Sequence, residues 1–165
     1  MPPQTDNLRL EELYQDDQKD RSGVYADAAS VDQLREKDRK RREEVLRMMS
    51  QGEVLTGKDL YHAGIIMLHG DNLQDFLTAH RLAVISAVMG LRPSRWLAAA
   101  SLDRYLMALG QPQVYGPQFE HNPEDTRYQL RLPIEDSRIM GFEKKFFDVP
   151  LVGERLAQLN GRLEK

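Results

Sequence analysis

The chain has 165 residues, the length of a single domain, and apolar residues make up 41% of it and charged residues 30%. This balance is typical of a soluble globular protein. The net charge of -3 gives no general attraction to nucleic acid or to an anionic membrane. Because the chain has no cysteine, disulfides, thiolate nucleophiles and cysteine-based zinc sites are excluded.

The N-terminal stretch and the hydropathy pattern predict a cytoplasmic protein. Residues 1–13, "MPPQTDNLRLEEL", lack the basic and apolar regions of a signal peptide. No run of apolar residues approaches the ~18 that a membrane span needs. We therefore expect neither a membrane nor nucleic acid as a partner, and we expect no cofactor.

Residues 1–30 are predicted to form an N-terminal helical arm and a linker. Leu10, Leu13 and Tyr14 have the spacing of a short amphipathic helix over 9–21. The stretch "SGVYADAAS" follows as the linker, and Ser30 at its end is a candidate N-cap for the next helix. The rest of the chain, 31–165, is predicted to be a single helical domain.

The helix predicted over about 31–51 contains ten consecutive charged residues, from Arg35 to Glu44. Six basic and four acidic residues are mixed within this run. One interpretation is a basic patch for phosphates. The mixture of signs, with i, i+4 pairs such as Glu36–Lys40, favours a solvated helix face instead.

Three apolar helical runs come next, over 58–69, 73–89 and 95–109. We call them the first, second and third core helices. Each is followed by a glycine that is predicted to adopt the left-handed conformation of a helix end, and these are Gly70, Gly90 and Gly110.

Polar residues that could cap the starts of the core helices precede each run. They are Thr56 with Asp59, then Asp71 or Asn72, and then Ser94. Connections of two to four residues make neighbouring helices antiparallel. The predicted fold is therefore mainly α, with antiparallel helical hairpins that form a bundle or a short tetratricopeptide-like array.

After Gly110 the hydrophobic period changes from helical to alternating. This change predicts one β-hairpin over about 113–134, with Tyr128, Leu130 and Leu132 on one face of its second strand. Pro117 confines the first strand to an edge or a bulge. We expect 135–146 to be a loop or a short helical turn. A short last helix follows, and it is predicted to pack through Leu151, Leu156 and Leu159.

Charged residues in the third core helix need partners from outside that helix. Asp103 and Arg104 are the only charged residues between Leu97 and Leu109. A buried charge costs several kcal/mol unless it is paired and hydrogen-bonded, and adjacent helical residues point about 100° apart. The nearest polar supply is "QPQVYGPQ", 111–118, with three glutamines and a tyrosine.

The histidines and the known catalytic motifs give little support for an enzyme. His62 and His69 lie two helical turns, roughly 10 Å, apart, so they cannot share one metal ion. No phosphate-binding glycine loop, G-x-S-x-G elbow or H-E-x-x-H motif is present. We predict no metal site, and for each histidine a structural role is favoured over a catalytic one.

Several short motifs, in order, resemble an uncharacterised bacterial family of mainly helical proteins. They are "MLHGD", "LDRYL", "GQPQVYGPQF" and "LPIED", and an upstream Asp-Gln-x-x-Arg element matches Asp17, Gln18 and Arg21. The resemblance runs from about residue 16 to the C-terminus, and its Pro-Ile-x-Asp element ends at Asp136. Met67-Leu68 stands where the family has a glutamine before the histidine, and Pro117 replaces a threonine. The family implies a fold and candidate residues but no activity.

Three functional interpretations remain open from the sequence. The first is a binding module for a small polar metabolite, a peptide or a protein, with a polar site between the third core helix and the β-hairpin. Its candidate ligand-binding residues are Arg104, Gln113, Tyr115 and Gln118, with Gln18, Arg21 and Asp136 from the resemblance. The alternative is a hydrolase or other acid/base enzyme with His69 as general base, Asp103 as its orienter and Arg104 as an anion clamp. The last is a buried polar network that only ties the hairpin to the helices.

Overall fold

The computed structural model describes residues 4–22, 28–121 and 127–161. The described residues are mainly helical with one small β-hairpin near the C-terminus, as predicted. The α-helices are α1 (Leu8–Arg21), α2 (Ala28–Ser50), α3 (Gly57–Leu68), α4 (Leu73–Val88), α5 (Pro93–Ala108), α6 (Gly141–Phe146) and α7 (Val152–Asn160). The strands are β1 (Phe119–His121) and β2 (Tyr128–Leu130), and a 3-10 turn spans Asp136–Arg138.

The three predicted core helices are α3, α4 and α5, which pack side by side. Two of the predicted caps are confirmed: Thr56 and Asp59 form a capping box at α3, and Asn72 accepts a hydrogen bond from the amide of Asp75 at α4. The prediction that Ser94 caps α5 is wrong. This helix begins at Pro93, and the buried Ser94 hydroxyl lies 2.7 Å from the hydroxyl of Ser86.

The glycines that follow the core helices serve two different purposes. Gly90 and Gly110 have φ of 95° and 73°, so their predicted left-handed conformation is confirmed. The same prediction for Gly70 is wrong, because its φ is not positive. An added Cβ there would lie 2.3 Å from the Asp75 side chain. Gly70 is needed for that close approach.

The N-terminal helix is packed into the main core. Leu10 and Leu13 of α1 are buried beside residues of α2 and α3. The predicted boundary between linker and domain differs from the structure, because α2 begins at Ala28 and Ser30 lies inside it instead of capping it. Residues 23–27 of the predicted linker lie outside the described residues.

The charged run of α2 has an exposed side and a buried side. Arg39 pairs with Glu36 and Glu43 at the surface, and Lys40 reaches Glu36 at 3.5 Å. Asp38, Arg41 and Arg42, however, are each less than 9% exposed. The prediction of a solvated face is therefore wrong for this second side, where acidic residues of α1 and α4 pair with the charges.

The β-hairpin is shorter than predicted. β1 and β2 pair antiparallel, with Phe119 opposite Leu130 and His121 opposite Tyr128. Residues 113–118 do not form the predicted first strand, apart from an isolated bridge between Gln113 and Ile134. Leu132 lies beyond β2 and is exposed, so its predicted place on the strand face is wrong.

The C-terminal elements cover one side of α5. Residues 136–146 form the 3-10 turn and α6, as the prediction of a loop or short helical turn allowed. In α7, Leu156 and Leu159 are half-buried, whereas Leu151 precedes the helix and is 65% exposed, so its predicted packing is wrong. Among the helices that the structure describes, none is both long and apolar enough to cross a membrane.

Candidate functional site

Arg104 is a half-buried arginine of α5 whose partners are neutral. Its Nε donates to the side-chain oxygen of Gln118 at 3.1 Å, and its Nη1 donates to the carbonyl of Leu68 at 2.8 Å, at the end of α3. Among the described residues it has no carboxylate partner. Burial lowers the pKa of Arg104 to about 10, and the positive charges of Arg21 and Arg131 act in the same direction.

The other arginines of the interior are paired with acids. Arg41 pairs with Asp38 at 2.8 Å and contacts Asp20, and Arg42 pairs with Asp75 at 3.1 Å. These pairs compensate the desolvation of each guanidinium, as buried charges require. Arg104 thus differs from them, because no acidic side chain in the described parts of the chain compensates its positive charge.

Two cavities of about 220 Å³ each share Arg104 as part of their walls. The first, which we call the tryptophan cavity, lies between α5, α7 and the hairpin. It is lined by Trp96, Arg104, Gly116, Pro117, Gln118, Phe119, Tyr128, Pro150, Arg155 and Leu159. The second, which we call the methionine cavity, is lined by Phe76, Arg104, Met107, Ala108 and Arg131. Both cavities combine aromatic surface with two guanidinium groups.

Gln113 and Gln118, the two candidate glutamines that follow α5, position Arg104 and the backbone around it. Gln113 is fully buried; its oxygen accepts from the amide of Gln118 at 3.1 Å, and its nitrogen donates to the carbonyls of Gln118 and Arg131. Gln118 donates to the carbonyl of Ala100 at 2.9 Å. Gln113 lines neither cavity, so it does not have the exposure expected of a ligand-binding group. Gln118 lines the tryptophan cavity and orients Arg104.

Asp103 and Tyr115 lie outside both cavities. The Asp103 carboxylate accepts backbone hydrogen bonds from Val114 at 2.8 Å, Tyr115 at 3.0 Å and Gly116 at 2.9 Å. Burial raises the pKa of Asp103, and these three bonds oppose the rise. The Tyr115 ring is buried against Phe147, and its hydroxyl lies 3.4 Å from Glu143. Burial, with the Glu143 charge, raises the pKa of Tyr115 to about 12.

His69 belongs to a second polar cluster, at the junction of α1, α2 and α3. Its Nδ1 lies 3.0 Å from Asp17 Oδ1 and 2.8 Å from Arg21 Nε. A protonated Nδ1 donates to Asp17 and an unprotonated Nδ1 accepts from Arg21, so the tautomer decides which contact is a hydrogen bond. Arg21 also pairs with Asp38 at 2.8 Å, and Gln18 donates to Asp17 at 2.9 Å.

The structure therefore brings Gln18, Arg21 and His69 together, with Asp17 as their common partner. Asp17 is 0% exposed and was missed as a candidate, although its spacing of four residues from Arg21 is typical of a helical ion pair. The predicted pairing of His69 with Asp103 is wrong, because the carboxylate at His69 is that of Asp17. Burial lowers the pKa of His69, the Asp17 carboxylate opposes this shift, and the charges of Arg21 and Arg104 add to it.

The remaining candidate residues are apart from both clusters. Asp136 lies in the 3-10 turn with an exposed carboxylate, 3.2 Å from Lys144, and lines neither cavity at Arg104. His62 stacks on Tyr14 with ring centres 4.1 Å apart, and His80 contacts the carbonyl of Ala98 at 3.0 Å. Within the described parts of the chain, no three histidine or acidic side chains are grouped to hold a metal ion.

Comparison of the chain with protein-family models, with curated proteins and with solved structures finds no match. The resemblance to the helical bacterial family and the cytoplasmic location therefore stay predictions.

Proposed function

We propose that this protein is a binding module for a small anionic ligand, held by Arg104 between α5 and the segment 113–119. The observation that carries the proposal is the uncompensated guanidinium of Arg104 in the wall of two cavities. Of the predicted polar site, the guanidinium of Arg104 is the group that would contact the ligand. The amides of Gln113 and Gln118 support that group from the protein side.

The physical reason is the cost of an unpaired charge that is partly removed from water. Burial has already lowered the pKa of Arg104 to about 10, which means that the surroundings penalise its charged form. A carboxylate or phosphate on the open side of the guanidinium would relieve that penalty through charge-assisted hydrogen bonds. The backbone contact to Leu68 and the contact to Gln118 hold the fork in place before a ligand arrives.

Binding is favoured over the acid/base alternative by the positions of the predicted catalytic groups. Both oxygens of Asp103 accept backbone hydrogen bonds from the segment after α5, and the carboxylate that contacts His69 is that of Asp17 instead. His69 is engaged by Asp17 and Arg21. A general base must be within hydrogen-bond reach of the proton that it removes. Neither cavity at Arg104 includes His69 in its lining.

The proposal is tested by thermal unfolding in the presence of sodium phosphate or sodium acetate at constant ionic strength. At about ten times its Kd a ligand stabilises the native state by about 1.4 kcal/mol, which raises Tm by about 3–6 °C for a chain of this size. We expect a saturable rise for the unaltered protein. R104M removes the charge but keeps an unbranched, flexible side chain, and we expect it to abolish the rise.

Two further variants separate binding from general salt effects. R104K keeps the charge without the planar fork, and we expect a weaker but measurable rise. R35M alters an exposed arginine that pairs with Asp32 at the surface, and we expect the full rise. A rise that R104M retains, or no saturable rise with either anion, would contradict the proposal.

A further inference from the structure

The residues that line the tryptophan cavity indicate which kind of anion it accommodates. Three aromatic side chains, Trp96, Phe119 and Tyr128, line it together with the guanidinium groups of Arg104 and Arg155. No acidic side chain of the described residues lines it. A cavity with apolar rings on its walls and cations at its edge is complementary to a flat apolar group that carries a negative charge.

We propose that the tryptophan cavity binds an aromatic carboxylate, with its ring against the aromatic walls and its carboxylate on Arg104. The inference rests on the proposed anion binding at Arg104 and names the ligand class of that site. A planar carboxylate matches the fork of a guanidinium with two parallel hydrogen bonds, while aromatic rings attract each other through offset or edge-to-face contacts.

The volume of the cavity sets the size of the ligand. A space of about 220 Å³ is small for a ligand pocket, so a compact ligand fits best. A single aromatic ring with one carboxylate has this size. Larger ligands such as nucleotides exceed it, because pockets for drug-sized molecules begin at about 300 Å³.

Charge favours the tryptophan cavity over the methionine cavity. In the methionine cavity, the second arginine is Arg131, whose Nε lies 3.9 Å from the carboxylate of Glu120. In the tryptophan cavity, the second arginine is Arg155, which donates to the neutral Gln158 at 3.2 Å. The positive charge at the tryptophan cavity is thus less compensated within the protein, so an incoming carboxylate gains more there.

The position of Trp96 allows a direct test, because it is the only tryptophan of the chain. Its fluorescence is titrated with benzoate, cyclohexanecarboxylate, acetate and benzamide. We expect benzoate to change the fluorescence saturably and to bind at least about tenfold more tightly than acetate, because the ring adds apolar area that leaves water. Cyclohexanecarboxylate, which has a similar size without a flat ring, should bind more weakly than benzoate, and the uncharged benzamide should not saturate.

Variants then assign each half of the ligand to its subsite. F119L removes one aromatic wall, and we expect it to weaken benzoate severalfold while leaving acetate unchanged. R104M should abolish the binding of both anions. R131Q changes a residue that lines the methionine cavity but not the tryptophan cavity, and we expect the tenfold preference for benzoate over acetate to persist in it. Circular dichroism of each variant confirms that loss of binding is not loss of folding.

The possible failures are distinguishable. Equal affinity for benzoate and acetate, with both lost in R104M, would overturn the aromatic ligand class and leave anion binding intact. Stabilisation by benzoate without any change in Trp96 fluorescence, and without an effect of F119L, would place the ring in the other cavity and overturn this inference. No saturable response to any of the anions would overturn the anion-binding function as well.

Discussion

Two adjacent charged residues of α5, Asp103 and Arg104, are stabilised in different ways. Asp103 is fully buried, and three backbone amides donate to its carboxylate. Arg104 has two neutral acceptors and open space beside it. A buried ion needs either several hydrogen bonds or an opposite charge. The Asp103 carboxylate has enough hydrogen-bond donors within the protein, whereas the Arg104 guanidinium lacks an opposite charge among the described residues. Asp103 holds the segment that follows α5, and Arg104 is the residue that we propose as the ligand's partner.

Replacement of Asp103 by asparagine tests the structural role at the residue scale. The amide nitrogen of asparagine is a donor and would face a backbone N–H that now donates to a carboxylate oxygen. We expect D103N to lower the free energy of unfolding by about 1–3 kcal/mol, the cost of leaving a buried donor unpaired. Urea denaturation followed by circular dichroism measures this change.

The matched control is D136N, at an exposed aspartate that pairs with Lys144 at the surface. Surface pairs of this kind contribute from zero to about 1 kcal/mol, so its effect should be small. If D103N unfolds at the same urea concentration as the unaltered protein, the three amide contacts do not stabilise the segment that follows α5.

The segment 113–118 shows, at the scale of an element, why part of the prediction failed. Its alternating polar and apolar residues suggest a strand, but a strand needs its amides for a partner strand. Three consecutive amides instead donate to Asp103, which lies on α5 more than ten residues away. Local periodicity cannot reveal such a contact. The requirement that Asp103 and Arg104 find partners in this segment was predictable, because adjacent helical residues cannot pair well with each other.

His69 lies where α1 packs against α2 and α3, so we expect its protonation to make the stability of the protein depend on pH. Burial lowers the pKa of His69. As pH falls below about 6.5, the unfolded chain takes up this proton before the native protein does, so stability decreases. Burial alone would raise the pKa of Asp17, but His69, Arg21 and Arg41 lower it, which adds a second loss below about pH 4.

The measurement is a series of urea denaturations from pH 7.5 to pH 5. One proton changes the free energy of unfolding by at most about 1.4 kcal/mol per pH unit. We expect H69Q to reduce the slope. Burial also lowers the pKa of His62, so H62Q should reduce the slope separately, and the double variant should lose both contributions. An unchanged slope in H69Q would contradict the assignment of this step to the junction of α1, α2 and α3.

At the scale of the whole molecule, the helices were predictable and their mutual contacts were not. The bounds of α1, α3, α4 and α5 agree with the predictions within two residues, because apolar spacing, caps and glycines are local signals. The ion pairs of α1 with α2, and the contact of Arg21 with His69 across 48 positions, have no such signal. They arise only when the helices pack. The candidate residues Gln18, Arg21 and His69 could therefore be suspected individually but not grouped.

Gly64 lies where three helices of the core meet. It is buried in α3, and an added Cβ would lie 2.9 Å from Leu97 of α5 and 3.7 Å from Leu82 of α4. A glycine in a helix interior is unfavourable by up to about 1 kcal/mol relative to alanine, so the close approach of the helices is what requires it here.

The variant G64V should lower the free energy of unfolding by about 1–3 kcal/mol, because extra methyl groups in a packed core force the neighbouring helices apart. G153A is the matched control, since Gly153 lies in α7 and no described atom comes within 4 Å of its added Cβ. We expect this second variant to be neutral or to be stabilised by up to about 1 kcal/mol. Thermal and urea unfolding of both proteins measure the difference. Equal stability of G64V and the unaltered protein would mean that α3, α4 and α5 have room at their common contact.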